Sequence, residues 1–409
     1  MKSSLPIRLL LLFQLIAAIR VILRLAGSAN GQRIATATTR PATATDAVTV
    51  IVPVLNEVNR LGPCLEGLTA QPSAVAEILV VDGGSGDGTQ ALVERFAVRD
   101  PRIRLVDASP VPGGWNGKVW GLQIGWEQRD PGAAWVLTMD ADVRPKPALV
   151  SSLTQHAKMT GLRAFSVATP QRLSGAAEAI VHPALLATLV YRYGIPGSAA
   201  TKVDDVQANG QCFLASADAL QRIGGFWSGQ GAISEDVTIA RSLVARGIAV
   251  GFFEPADSVE LVDVEMYDGW RDAWRNWTRS LPMRNHSSGA RWWLKMFDMT
   301  LTMGLPLVVL LVRTGHFRSG RKDRQALMRL NLGLVAMRYG VAAGMRRTYR
   351  ETPPTYWLSP LVDPAVCIKL WISSLRRNHE WRGRPIVRAT SHSVPPTRAC
   401  LQRDGTLGA

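Results

Sequence analysis

Between Val48 and Glu265, short β-branched runs alternate with helix-forming stretches, and that alternation confines this part of the chain to an α/β layer architecture. The strand candidates are VTVIVPVL (48–55), AEILVVD (76–82), RIRLVDA (102–108), AWVLTMD (134–140) and RAFSVAT (163–169). Helical stretches at 89–98, 117–127 and 147–160 separate them, and a later helix (235–246) and strand (248–254) extend the pattern. Strands joined through helices predict a largely parallel sheet, because parallel neighbours need a crossover.

The two ends read differently. Residues 5–26 form an apolar helix interrupted by Arg8, Gln14, Arg20 and Arg24. The stretch between Arg8 and Arg20 falls short of the ~20 apolar residues of an unaided span. Snorkelling arginines can lengthen it, or it can lie in the interface. A signal peptide is the rival, but no clear small-x-small cleavage site follows. Residues 27–45 are small and polar, as in a linker. After Trp270 come apolar segments at 293–312, 326–345 and 355–375. Each carries embedded charge: Lys295 and Asp298, Arg329 and Arg338, Asp363 and Lys369. Membrane helices are expected, with a soluble helical domain as the alternative. The expected division is 1–45 hydrophobic helix and linker, 46–285 catalytic domain, 286–380 hydrophobic helical region and 381–409 basic tail.

Charge follows the same division. Residues 1–45 carry a net +6, residues 46–265 a net −7 and residues 266–409 a net +16, which together make the overall +15. The basic residues interleave with apolar runs rather than forming lysine-rich tails, which argues against nucleic acid and for an anionic membrane surface. Cys64, Cys212, Cys367 and Cys400 lie far apart without a C-x-x-C pair. Neither a zinc site nor a disulfide framework is indicated, and a reducing cytoplasmic setting is expected.

Three acidic elements follow strands or open helices in the α/β region. VVDGGSGDGT (80–89) closes a strand on Asp82 with a glycine-rich turn. A dinucleotide G-x-G-x-x-G would need a third glycine where Thr89 stands. MDADVRP (139–145) places Asp140 and Asp142 at a strand end, a pair suited to Mg²⁺ or Mn²⁺ completed by diphosphate oxygens and water. AISEDVTIARSLVARG (232–247) opens a helix with Glu235 and Asp236. There carboxylates either favour the helix dipole or serve as a general base.

These elements resemble the inverting family 2 glycosyltransferases of GT-A fold. That family opens on V-P-x-x-N-E, matched by Val52-Pro53-Val54-Leu55-Asn56-Glu57, and continues with D-G-S-x-D-G-T, D-x-D and an E-D pair in the same order. The resemblance covers roughly residues 47–281. It implies that Pro53, Asn56, Glu57 and Asp82 hold the nucleoside, Asp87 lines the loop, and Asp140 and Asp142 bind metal diphosphate. Asp236 is then the base, with Glu235 beside it. The Q/R-x-x-R-W of the polymerising branch is reduced to Arg279 in Asn276-Trp277-Thr278-Arg279-Ser280, which speaks against processive synthesis. Arg279 is left to neutralise a leaving diphosphate or to face lipid.

PGGWNGKVWGL (112–122), WLSPLVDP (357–364) and EWRGRPI (380–386) are similar to the bacterial hopene-associated and carotenoid glycosyltransferases. In that comparison Lys118 either reaches a phosphate or caps its helix. The resemblance implies a UDP-linked nucleotide-sugar donor, an isoprenoid lipid acceptor, and a catalytic domain on the cytoplasmic side of the inner membrane. A saccharide acceptor in envelope biosynthesis is the alternative. A metal-dependent nucleotidyltransferase is the rival of another class, but it expects a Gly-rich basic loop where this chain has VLNEVNR.

Overall fold

Burial on both faces is what makes the central strands so uniformly apolar. In β2 (Val48–Val54) and β3 (Val75–Asp82), Val48, Val50, Ile51, Val52, Ile78, Leu79 and Val80 are all fully buried, as parallel strands between helices require. The computed structural model describes residues 5–37, 47–71, 74–232, 234–256, 261–281, 289–312, 320–376, 378–381 and 384–387. It resolves into two compact units interleaved along the chain. One comprises 31–171, 196–266 and 378–409; the other comprises 1–30, 172–195 and 267–377.

The first unit is the α/β body. Its other strands are β1 (Arg33–Ile34), β4 (Ile103–Asp107), β5 (Trp135–Met139), β6 (Val143–Pro145), β7 (Ala164–Val167), β8 (Ser198–Ala200), β9 (Cys212–Ser216), β10 (Val250–Pro255) and β11 (Val262–Val264). The main sheet runs β1-β10-β7-β9-β5-β2-β3-β4, with β8 also on β10. It is parallel except for β9, antiparallel to β5 and β7, and β8. A small antiparallel pair, β6 with β11, follows the end of β5. The five strands expected from the sequence are present within one or two residues. Part of the stretch expected as linker instead supplies edge strand β1, and the Ala37 amide donates to Ser152 Oγ.

Register brings the carboxyl ends of the strands level: Val54 pairs with Asp82, and Asp82 with Asp107. Over this edge packs helix Gly117–Gln128, whose start is capped by Asn116 Oδ1 accepting from the Lys118 amide at 3.0 Å. Asn116 is therefore the cap, and the Lys118 side chain is left for other contacts. Two glycines one turn apart set the distance to the sheet. A Cβ on Gly121 would lie 3.2 Å from Pro53 Cβ, and one on Gly125 would lie 2.5 Å from Ile51 Cγ2.

The second unit is helical. It contains Leu5–Ser28, Glu178–Tyr193, Trp270–Ser280, Gly289–Leu311, Arg321–Met345 and Pro354–Leu375. Leu5–Ser28, Gly289–Leu311 and Pro354–Leu375 are long and apolar enough to cross a membrane, with mean hydropathies of 2.2, 1.6 and 1.3. Leu5, Leu9, Leu12, Ile16, Ile19 and Leu23 form one exposed stripe on the first of them. Arg8 and Arg329 stay exposed, but other polar residues that interrupt these segments turn toward partners. Arg20 and Arg24 meet the fully buried Asp298, Gln14 Nε2 donates to Asn331 Oδ1 at 2.9 Å, and Arg338 Nε donates to Asp363 Oδ2 at 2.8 Å. Gln14 also reaches the Leu301 carbonyl and Arg8 Nε lies 3.1 Å from Asp323 Oδ2, so these contacts set Leu5–Ser28 parallel to Arg321–Met345 and antiparallel to Gly289–Leu311.

Replacing glycine by alanine inside a helix ordinarily gains about 0.5–1 kcal/mol. At Gly125 overpacking against Ile51 opposes this with about 1–3 kcal/mol. Gly125→Ala is thus expected to lower the melting temperature of the detergent-solubilised protein. Gly62→Ala, where a Cβ meets nothing within 4 Å, is expected to leave it unchanged or raise it.

Candidate active site

The loop after β2 and the loop after β3 lock together. Asn56 adopts φ 55°, a left-handed conformation that asparagine tolerates. Its amide donates to Ser85 Oγ at 2.8 Å, and its Oδ1 accepts from the Gly86 amide at 2.9 Å. The Glu57 amide donates to Thr89 Oγ1 at 2.9 Å and the Val58 amide to Asp87 Oδ2 at 3.1 Å. Asp87 also accepts from the Thr89 amide and hydroxyl. Burial raises the Asp87 carboxyl, but these hydrogen bonds together outweigh it and hold the group below the ordinary range.

Asp82 is fully buried, and its carboxylate accepts from the amides of Gly84 and Ser85 and from Gln90 Nε2 at 2.6 Å. Those partners make it the organiser of its own turn. Pro53 underlies helix Gly117–Gln128 at the Gly121 contact.

The strand-end pair and the helix pair converge on one ammonium. Lys118 Nζ lies 2.7 Å from Asp140 Oδ1 and 2.7 Å from Glu235 Oε1. Burial works to lower the Lys118 pKa, but the facing charges of Asp140 and Glu235 raise it further, so the group stays charged. Asp236, next on helix Glu235–Ala245, accepts from the Gly210 amide at 2.9 Å and the Val237 amide at 2.8 Å. Burial first, and then the neighbouring Glu235 charge, push its carboxyl up to about 7.

Asp142 is partly buried, and its Oδ1 is the one carboxylate oxygen among the described residues that is buried with no hydrogen-bond partner. Burial, followed by the charges of Asp140 and Glu57, pushes its carboxyl up to about 7 as well. Two hard oxygen donors in i and i+2, one of them unmatched, could accept a divalent cation. Among the described residues no group of three His, Cys, Asp or Glu side chains is placed to hold one alone.

Residues not singled out from the sequence close this corner. The loop before β9 brings in Asn209, Gly210 and Gln211: the Asp140 amide donates to the Gln211 carbonyl at 3.2 Å, and Asn209 Nδ2 donates to Gln211 Oε1 at 2.9 Å. The N-G-Q turn signal was there to be read, but no periodicity tied it to the carboxylates. Asn116 is held by the Gln230 and Ala232 carbonyls, and Trp115 packs edge-on against Trp120 and Trp227. Arg279 belongs to helix Trp270–Ser280 in the helical unit, and its side chain lies outside the described residues.

Residues 49–220 match the family model described as Glycosyl transferase family 2. This segment has the sequence features of a family 2 glycosyltransferase domain, and the sheet with its flanking helices has the GT-A fold. The chain is 34% identical over 122 residues to polyprenol monophosphomannose synthase of Mycolicibacterium smegmatis, covering 29% of this chain and 42% of the relative. It is 32% identical over 78 residues to glycosyltransferase AglE of Haloferax volcanii, covering 19% and 26%. The matches thus span about a quarter to two fifths of these relatives' own lengths. In fold the chain is similar to a mannosyltransferase from Pyrobaculum calidifontis solved in complex with GDP-Man and Mn²⁺, with a TM-score of 0.50 and 17% identity over 90% of this chain and 99% of that one.

A Cβ on Gly210 would lie 3.0 Å from Lys118 Nζ, 3.1 Å from Glu235 Oε1 and 3.4 Å from Asp236 Cβ. Gly210→Ala should therefore displace the Lys118 ammonium and the Glu235 carboxylate by a few tenths of an ångström. The expected loss in turnover is about 10- to 100-fold, as for other small misplacements of reacting groups. An unchanged melting temperature would accompany it.

Proposed function

We propose that the chain is a membrane-associated inverting glycosyltransferase that moves a sugar from a nucleotide-sugar donor to the hydroxyl of a lipid, with isoprenoid lipids the first class to test. The observation that carries the donor reading is the convergence of Asp140, Asp142, Glu235 and Asp236 on one edge of a family 2 domain, with Asp142 Oδ1 unmatched. Asp140 and Asp142 fit an oxygen-liganded divalent ion, and they would hold Mg²⁺ or Mn²⁺ there. That ion, when bound, neutralises charge on the departing nucleoside diphosphate.

The chain's own residues supply the rest. Asp236 takes the proton from the acceptor hydroxyl as its oxygen attacks the anomeric carbon in line. The bond from that carbon to the diphosphate oxygen breaks, and the configuration inverts. Gly210 and Val237 amides fix the Asp236 carboxylate in place. The interlocked loops of Asn56–Glu57 and Asp82–Asp87 shape the nucleoside side.

Three apolar helices support a lipid acceptor, since an enzyme at the interface meets amphiphiles without extracting them. A relative whose name specifies a polyprenol supports the same class. The stretches at 112–122, 357–364 and 380–386 favour the hopene-associated and carotenoid type within it. Cys64 and Cys212 are free thiols, in keeping with a catalytic domain facing the cytoplasm, where nucleotide sugars are made.

The reading is tested by incubating the detergent-solubilised protein with radiolabelled UDP- and GDP-sugars, Mn²⁺ and a bacterial lipid extract. Label in the organic phase is expected; label only on soluble saccharides would move the acceptor to envelope polysaccharide. Asp142→Asn is expected to abolish Mn²⁺-dependent donor binding in calorimetry while keeping the fold. Asp236→Asn should bind donor and turn over at least ~10²-fold more slowly. A base whose pKa is raised to about 7 is protonated below that pH. Activity should therefore rise through pH 7 and fall about tenfold per unit below it, and a flat profile from pH 5 to 8 would remove Asp236 from the role.

A further inference from the structure

We infer that Lys118 makes cation binding at Asp140 conditional on an incoming diphosphate, because its ammonium and the cation must share one carboxylate. The inference rests on the reading of Asp140 and Asp142 as the cation site. Lys118 then acts as a positioning residue that couples two ligands.

The geometry leads there in three steps. First, the ammonium is engaged at 2.7 Å by Asp140 Oδ1 and at 2.7 Å by Glu235 Oε1, with side chains only 19%, 27% and 11% exposed. A divalent ion placed on Asp140 would face a positive charge one hydrogen bond away, in a site too dry to screen it. Second, the lysine cannot simply leave. Its backbone is pinned at the capped start of helix Gly117–Gln128, and that helix is fixed on the sheet by Gly121 and Gly125. Glu235 keeps hold of Nζ even when Asp140 lets go. Third, an ammonium has three donors and follows anions readily. A diphosphate beside the cation offers a new acceptor to the donor that Asp140 gives up. Cation alone is then opposed by Lys118, whereas cation with diphosphate is assisted by it.

A lysine that only braced the fold would predict something else. Its loss would lower stability and leave cation affinity the same or weaker. The coupled role predicts the opposite sign for the cation alone.

The test is Mn²⁺ titration of the full-length detergent-solubilised protein, with free Mn²⁺ read by electron paramagnetic resonance, without nucleotide and with saturating UDP or GDP. In the wild type the nucleotide should tighten Mn²⁺ by about 10-fold or more, within the usual range of site-to-site coupling. Lys118→Gln should bind Mn²⁺ alone at least ~3-fold tighter, and the nucleotide should add less than ~3-fold. Lys118→Arg keeps the charge and should match the wild type without nucleotide within about twofold.

Wild-type or weaker Mn²⁺ affinity in Lys118→Gln overturns the inference. So does an arginine variant that behaves like the glutamine one. Should the glutamine variant melt early, the arginine variant decides alone: tightened Mn²⁺ binding with the charge intact refutes the coupling. Absence of Mn²⁺ binding to the wild type, with or without nucleotide, would bring down the donor reading itself, whereas wild-type binding with unaltered coupling in Lys118→Gln brings down only the role of Lys118.

Discussion

Carboxylates crowded onto one sheet edge repel each other, and the candidate active-site corner depends on how that repulsion is met. Asp140, Asp142, Glu235 and Asp236 come from two elements, and the Lys118 ammonium binds one residue of each pair. Its helix packs directly on the sheet at Gly121 and Gly125. Gly121 and Gly125 permit that approach, Asn116 starts the helix at the right residue, and Gly210 leaves room where a methyl group would press on the ammonium. Helix packing, capping and charge are therefore one problem with one solution. The repulsion that remains is visible in Asp142 and Asp236, whose carboxyls burial and neighbouring charge both push up.

The helical unit meets the same difficulty in apolar surroundings. Arg20, Arg24, Arg338, Asp298, Asp363, Gln14 and Asn331 would each be costly against lipid. Each is instead turned toward a partner on another helix, while leucines, isoleucines and phenylalanines face outward. Such pairs add little net stability, since well-packed apolar residues can replace them at no loss. What they do is fix register: Gln14 at Asn331 and Arg20 at Asp298 admit one alignment of three helices.

How much of this could be read from the sequence follows from the range of the interactions. Strands β2, β3 and β5 are runs of valine, isoleucine and leucine whose ends carry the aspartates, so both the sheet and its acidic edge were legible. Helix Leu61–Thr69 was not, because Gly62, Pro63 and Gly67 depress its local propensity and tertiary packing of Leu61, Leu65 and Leu68 makes it form. Strand β9 was missed because Cys-Phe-Leu-Ala-Ser has neither alternation nor β-branching. Asp82 sits where the family motif puts it, yet its burial beneath Gly84, Ser85 and Gln90 is a property of the folded turn. Embedded polar groups such as Arg20 and Gln14 weakened a membrane reading until their partners, hundreds of residues away, were in view.

Burial of charge does not by itself distinguish a site from a support. Asp298 and Asp363 are more deeply buried than Asp142, but arginines bind them on both charge and hydrogen-bond grounds. Arg338 Nη1 also lacks a hydrogen-bond partner, yet its positive charge is already matched by Asp363 at 2.8 Å. Asp142 Oδ1 has neither a donor nor a bonded cation, and leaving such an oxygen unmatched costs about 1–3 kcal/mol. Lys118 could have been the remedy, but it is committed to Asp140 and Glu235. The incompleteness is thus local to one oxygen on one strand end, and in the proposed reading a hard divalent cation arriving with phosphate oxygens would complete it.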